Sequence, residues 1–113
     1  MSEEKWHSYS LAQQFGNIGS EIFRAINREK IGDLVGRQNA LERALELVDF
    51  TLSDKKHINR LKEIVRLREL VADNYIKNNY YQVSLKDLNK YLLPFALLEK
   101  NNLNNAQKNK ICQ

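Results

Sequence analysis

Ile58-Asn59-Arg60-Leu61-Lys62-Glu63-Ile64-Val65-Arg66-Leu67-Arg68-Glu69-Leu70-Val71-Ala72-Asp73-Asn74-Tyr75 is the stretch that decides the fold. Its apolar positions, Ile58, Leu61, Ile64, Val65, Leu67, Val71, Ala72 and Tyr75, recur at steps of three and four, which is helical spacing. Arg68 stands in the middle of that face. A guanidinium buried there needs a carboxylate to meet it, and Asp49 and Glu21, each at the margin of an apolar arc on another helix, are the expected partners. Losing one partner of such a buried pair would cost about 3–5 kcal/mol. Arg68 is therefore expected to form a buried ion pair with Asp49 or Glu21, with a structural role.

Upstream, the same period repeats. Ser10-Leu11-Ala12-Gln13 fits a capping box, in which each side chain satisfies an orphan backbone donor. Leu11, Phe15, Ile18, Ile22 and Ile26 follow as an apolar stripe, and Ala12, Gly16, Gly19 and Phe23 form a second strip beside it. Two glycines within a helix cost roughly 1 kcal/mol each against alanine, so close approach of a neighbouring backbone is the expected compensation. Gly32-Asp33 breaks the pattern and Asp33 caps the next helix, which runs to about Leu52. Ser53-Asp54 caps a third helix over 55–77. Ser84-Leu85-Lys86-Asp87 opens a fourth, in which Leu85, Leu88, Leu92, Phe95 and Ala96 form the main stripe while Leu93 and Leu97 point away from it. Residues 1–9 read as irregular, with Trp6 and Tyr9 as anchors.

The expected architecture is all-α, an antiparallel four-helix bundle over residues 1–100, with a disordered Asn/Lys-rich tail at 101–113. The surplus of apolar surface on the last helix, at Leu93 and Leu97, and the small strip at Gly16 and Gly19 predict a homo-oligomer interface. There is no run of about 18 apolar residues to cross a membrane. The opening Met1-Ser2-Glu3-Glu4-Lys5 lacks the apolar core of a secretory signal, and the single cysteine, Cys112, makes no intrachain disulfide. A cytoplasmic protein is the simplest expectation.

The net charge of +4 is modest but segregated. Residues 55–68 carry six bases (Lys55, Lys56, Arg60, Lys62, Arg66, Arg68) against the single acid Glu63, whereas 33–54 is acidic. Lys55, Lys56, Arg60, Lys62 and Arg66, joined by Arg24 and Arg28 of the first helix, are the candidate phosphate-binding residues, with Tyr75, Tyr80, Tyr81 and Trp6 available to stack on bases. Catalytic signatures are absent. No Gly-rich phosphate loop or nucleophile elbow occurs. Glu4-x-x-His7 and Asp54-x-x-His57 match acid-x-x-His spacing but fall at helix starts, away from the facing glutamates a di-metal bundle needs. The stripe Glu42, Glu46, Asp49 has the donors for a divalent cation, as a metal-dependent enzyme would need, but reads first as a solvated face or a set of arginine partners. The expectation is no enzyme, no metal and no cofactor.

The runs Gln14-Phe15-Gly16-Asn17-Ile18-Gly19-Ser20-Glu21-Ile22-Phe23-Arg24-Ala25, Arg43-Ala44-Leu45-Glu46-Leu47, Arg60-Leu61-Lys62-Glu63 and Arg66-Leu67-Arg68-Glu69 resemble a family of short bacterial proteins that carries no assigned activity. More distantly, size, class and charge are similar to the four-helix-bundle proteins encoded in intervening sequences of ribosomal RNA genes. Relatives of those proteins are the accessory variability proteins of diversity-generating retroelements. That group carries an Asn-Ile-Ala-Glu-Gly type motif after an Arg-Ala pair; here Asn17-Ile18 is followed by Gly19-Ser20-Glu21, and Arg24-Ala25 comes after it. The resemblance implies a basic, ring-like oligomer that binds nucleic acid and a protein partner such as a reverse transcriptase. A protein–protein adaptor of a polymerase, nuclease or toxin–antitoxin system is the alternative.

Overall fold

The computed structural model describes residues 2–95 and Leu97, and among them every regular element is helical. In chain order these are α1 (Glu3–His7), α2 (Leu11–Lys30), α3 (Leu34–Leu52), a 3₁₀ segment (Lys55–Arg60), α4 (Leu61–Ile76) and α5 (85–95). The expected tail at 101–113, Ala96 and Cys112 lie outside the described residues.

The caps explain where the helices start. Ser10 Oγ accepts from Gln13 N while the Gln13 side chain accepts from Ser10 N, closing the capping box. Asp33 accepts from Gly36 N at 2.9 Å. Ser84 and Asp87 exchange the same reciprocal bonds at the start of α5. One segment departs from expectation at the beginning of the chain: residues 3–7 are helical, capped by Ser2, and Trp6 of this short helix is completely buried.

α2 packs along α3, and α3 packs on α4. α5 closes over α2: Phe95 stacks edge-on against Phe15, and Leu92 lies over Gly19. A Cβ added at Gly19 would meet Leu92 Cβ at 3.0 Å, so glycine here permits the close helix approach that the small strip foretold. The approaching helix belongs to the same chain, however. Gly16 and Gly19 are buried in the protomer, which removes them as oligomer-interface residues. Phe23, one turn further along that strip, stays exposed.

The helix expected over 55–77 is broken. Asp54 caps the 3₁₀ segment by accepting from Lys56 N, His57 leaves helical geometry (φ −102°, ψ 21°), and α4 restarts at Leu61. The cause is tertiary: the His57 ring turns inward to bond Gln14 of α2. Downstream, α4 buries Ile64, Leu67 and Val71, a single stripe. Leu61 and Val65 lie on its flank and are exposed, as is Ile58 of the 3₁₀ segment. Arg68 shares that flank and corrects the buried-pair expectation. It does bond Asp49, Nε to Oδ1 at 2.7 Å, but the two side chains are 46% and 51% exposed. Glu21 takes no part; it sits 3.6 Å from Arg24, with Oε2 buried and without a hydrogen-bond partner.

The arginine that the interior does hold is Arg37. It is almost fully buried and donates from Nε to Glu29 at 3.0 Å, from Nη1 to Gln38, and from Nη2 to the carbonyl of Asn74 at 3.2 Å. Gln38 Nε2 donates to the next carbonyl, Tyr75, at 3.0 Å. The start of α3 thus satisfies the orphan carbonyls at the end of α4. Buried Asp73 then secures the loop that follows by accepting from Tyr80 N and Tyr81 N.

Candidate nucleic-acid interface

Two polar clusters stand out, one closed and one open. The closed cluster lies where α1, α2 and the 3₁₀ segment meet. Gln14 donates from Nε2 to the Trp6 carbonyl at 2.9 Å and to Asp54 Oδ2 at 3.1 Å. Its Oε1 accepts from His57 Nε2 at 2.7 Å, which fixes the ring as the Nε2–H tautomer. Trp6 Nε1 donates to Thr51 Oγ1, which donates in turn to the Leu47 carbonyl. Lys56 Nζ covers the outside, bonding Asp54 and the His7 carbonyl.

Burial works against the Asp54 charge, yet hydrogen bonds from Lys56 and Gln14 and the Lys56 charge overcome it and bring the carboxyl down to about 2. Burial likewise pushes the His57 imidazole below its ordinary value, and the nearby Asp54 charge only partly offsets it. The histidine is neutral and the aspartate ionised at neutral pH. Asp54 and His57, singled out by their spacing, do meet, at 3.5 Å. No set of three metal-ligating side chains forms among the described residues.

Most of the basic residues of 55–66 predicted to bind phosphate already hold carboxylates. Lys56 is committed to Asp54 and His7. Arg60 holds Glu63 with two hydrogen bonds. Glu63 also accepts from Tyr91, and that bond, ahead of the opposing effect of burial and the help of Arg60, keeps its carboxyl ionised below the usual range. Arg66 lies over the Tyr81 ring, 4.3 Å from its centre, and 3.7 Å from Glu69. Lys55 and Lys62 are exposed and make no ion pair among the described residues. Neighbouring carboxylates therefore neutralise most of this face. The tyrosines are likewise engaged: Tyr75 donates to Glu42 at 2.6 Å and Tyr81 to Glu69 at 3.1 Å, while Trp6 is inside the core. Tyr80 alone of the four candidate aromatics is mostly exposed.

Arg24 and Arg28 fare differently. One helical turn apart on α2, they meet Arg43 of α3 across a shallow groove of about 290 Å³, floored by Gly36 and Ala40 and edged by Asn39. Arg24 is 3.6 Å from Glu21, and Arg28 is 3.5 Å from Asp33, both too long for strong hydrogen bonds. Arg43 is exposed and has no ion-pair partner among the described residues. The exposed Arg28–Asp33 pair contributes about 0–1 kcal/mol and exchanges readily for another anion, whereas Glu21 is mostly buried beside the half-exposed Arg24. The Asp33 and Arg28 side chains crowd Gly36 at this corner. A Cβ there would fall 2.3 Å from Asp33 Oδ2 and 3.1 Å from Arg28 Cδ. Arg43 was legible in the sequence only as a charge beside the acidic stripe; its meeting with Arg24 depends on how α2 and α3 pair.

No family model, curated protein or solved structure matches this chain.

Proposed function

We propose that this chain is a non-enzymatic accessory module, an antiparallel four-helix bundle of α2–α5 that assembles as a homo-oligomer in the cytoplasm and binds nucleic acid, RNA or DNA. The observation that carries this reading is the convergence of Arg24, Arg28 and Arg43 on one open groove with only two loosely held carboxylates beside them. Guanidinium groups so placed match phosphate geometry, and the exposed Asp33 beside Arg28 is cheap to displace. Leu93 on α5 and Leu97 beyond residue 95, each about half exposed, supply the apolar surface for subunit contact. The proposed kinship with retroelement accessory proteins fits the same combination of basic groove and assembly.

The test is binding of the purified chain to single- and double-stranded oligonucleotides across a salt series. Binding that weakens steeply with salt, and that is lost in Arg43→Glu, is the expected result. Absence of binding to every nucleic acid at low ionic strength would remove the reading. A protein–protein adaptor is the second reading, and the exposed flank of Ile58, Leu61 and Val65 favours it. Capture of a partner from nuclease-treated extract by the wild type, but not by Val65→Glu, would select it. No helix of the described residues is long and apolar enough to cross a membrane.

A further inference from the structure

Resting on that nucleic-acid reading, we propose that the strand bound is single-stranded, and that Phe23 is the ring on which one of its bases stacks. α2 presents two adjacent stripes on this side. Arg24 and Arg28, at i and i+4, form a cationic ridge. Phe23, Asn27 and Ile31 run parallel to it, and together these five residues and Ser20 line a second shallow groove of about 390 Å³. The ridge therefore has a groove on each side, one toward Arg43 and one toward Phe23.

Phe23 is 54% exposed although it stands between the buried Ile22 and Ala25, and Ile31, 71% exposed, lies beyond the last buried residue of α2, Ile26. A phenylalanine ring has no polar handle and gains nothing from water. Its open face beside two guanidiniums has the elements of a base platform: a π surface for the base, cations for the backbone and the Asn27 amide for a base edge. In a duplex the base faces are already covered by their neighbours, so only an unpaired base can use this ring. RNA and DNA share that chemistry, and the 2′-hydroxyl is what would separate them.

The experiment measures anisotropy of short labelled oligouridylate, oligothymidylate and a duplex of equal length with the full chain. Its variants are Phe23→Leu, Phe23→Trp and Arg43→Glu, each checked by its thermal unfolding curve. Both single strands should bind about ten-fold more tightly than the duplex, in line with one base–aromatic contact. Phe23→Leu, which keeps apolar bulk but loses the π face, should lose about that factor on single strands and nothing on duplex; Phe23→Trp should retain it. A preference for oligouridylate or for oligothymidylate assigns RNA or DNA, and equal affinity assigns both. If Phe23→Leu binds single strands as well as wild type while Arg43→Glu does not, the stacking inference fails and the backbone reading stands. If the wild type binds no strand and no duplex at low salt, both fail, and a protein partner becomes the occupant of this face.

Discussion

The Gln14–Asp54–His57 cluster and the Arg24–Arg28–Arg43 groove contain similar numbers of polar groups and use them in opposite ways. In the first, the donors and acceptors are turned inward, buried and matched, with contacts of 2.7–3.1 Å around Gln14. In the second, the side chains are open to solvent, the ion pairs stretch to 3.5 and 3.6 Å, and one guanidinium lacks a carboxylate. Polarity that is satisfied and dry is spent on fixing the structure, here by tying α1 and the 3₁₀ segment to α2. Polarity that is loosely held and wet remains available for a ligand. The contrast matters because the formal charge is greatest around residues 55–68, yet that face is largely neutralised. Net charge along the sequence was a poor guide to which cations are available.

Asp54→Ala is the harshest way to break the comparison. It strands the Gln14 amide and the inward-turned His57, and removes the cap of the 3₁₀ segment, so a loss of about 3 kcal/mol in denaturant unfolding is expected. A loss below about 1 kcal/mol would mean that the cluster is decoration. Acid gives a milder version of the same test. His57 has a folded pKa below its unfolded value of 6.5, so the unfolded chain takes up the proton first and stability begins to fall as pH drops below that value. Asp54 has a folded value of about 2 against 3.8 unfolded; its contribution, about 2 kcal/mol, is complete above 3.8 and fades as pH falls toward 2. Unfolding curves taken from pH 7 downward should show both stages, and Asp54→Ala should shrink the lower one while Glu63 keeps part of it. Arg43→Glu sharpens the other side of the comparison. Being exposed, it should change stability by no more than about 0.5 kcal/mol while removing salt-dependent oligonucleotide binding. A large loss of stability in that variant would show that the groove too is structural.

The local signals were readable in the chain, and the long-range ones were not. Ser10, Asp33, Asp54 and Ser84 announce their caps because a cap involves residues only two or three apart. Gly16 and Gly19 announced a close helix approach, but a strip of small residues does not say whose helix arrives; Leu92 of the same chain does. The break at His57 could not be read from residues 55–60, because its cause is Gln14, more than forty positions earlier. Arg37 was missed for a related reason. It stands in a polar run, Arg37-Gln38-Asn39, and is buried only because the end of α4 lies across it. The candidate groove was half visible: Arg24 and Arg28 share a helix face, whereas Arg43 acquires meaning only once α2 and α3 are paired, and the exposure of Phe23 only once the buried face of α2 is known.

Arg68 provides the smallest expected effect and the finest test. Its place among Ile64, Val65, Leu67 and Val71 made it look like an interior charge, which would make its loss cost several kcal/mol. The α4 face turned to the core is one residue narrower than the apolar pattern, and Arg68 falls just outside it, meeting Asp49 in solvent at 2.7 Å. Coulomb attraction there is screened by water and salt, and ordering two side chains offsets part of the gain. Arg68→Ala and Asp49→Ala should each shift stability by no more than about 0.5 kcal/mol, and a double-mutant cycle should give a coupling of the same small size that shrinks as salt is added. A salt-insensitive coupling of several kcal/mol would mean that the flank carrying Leu61 and Val65 is covered in solution. That covering would come from a second chain or from residues outside the described ones, and a change of the coupling with protein concentration would select the second chain, so this surface pair also reports on whether the apolar flank of α4 is an assembly surface.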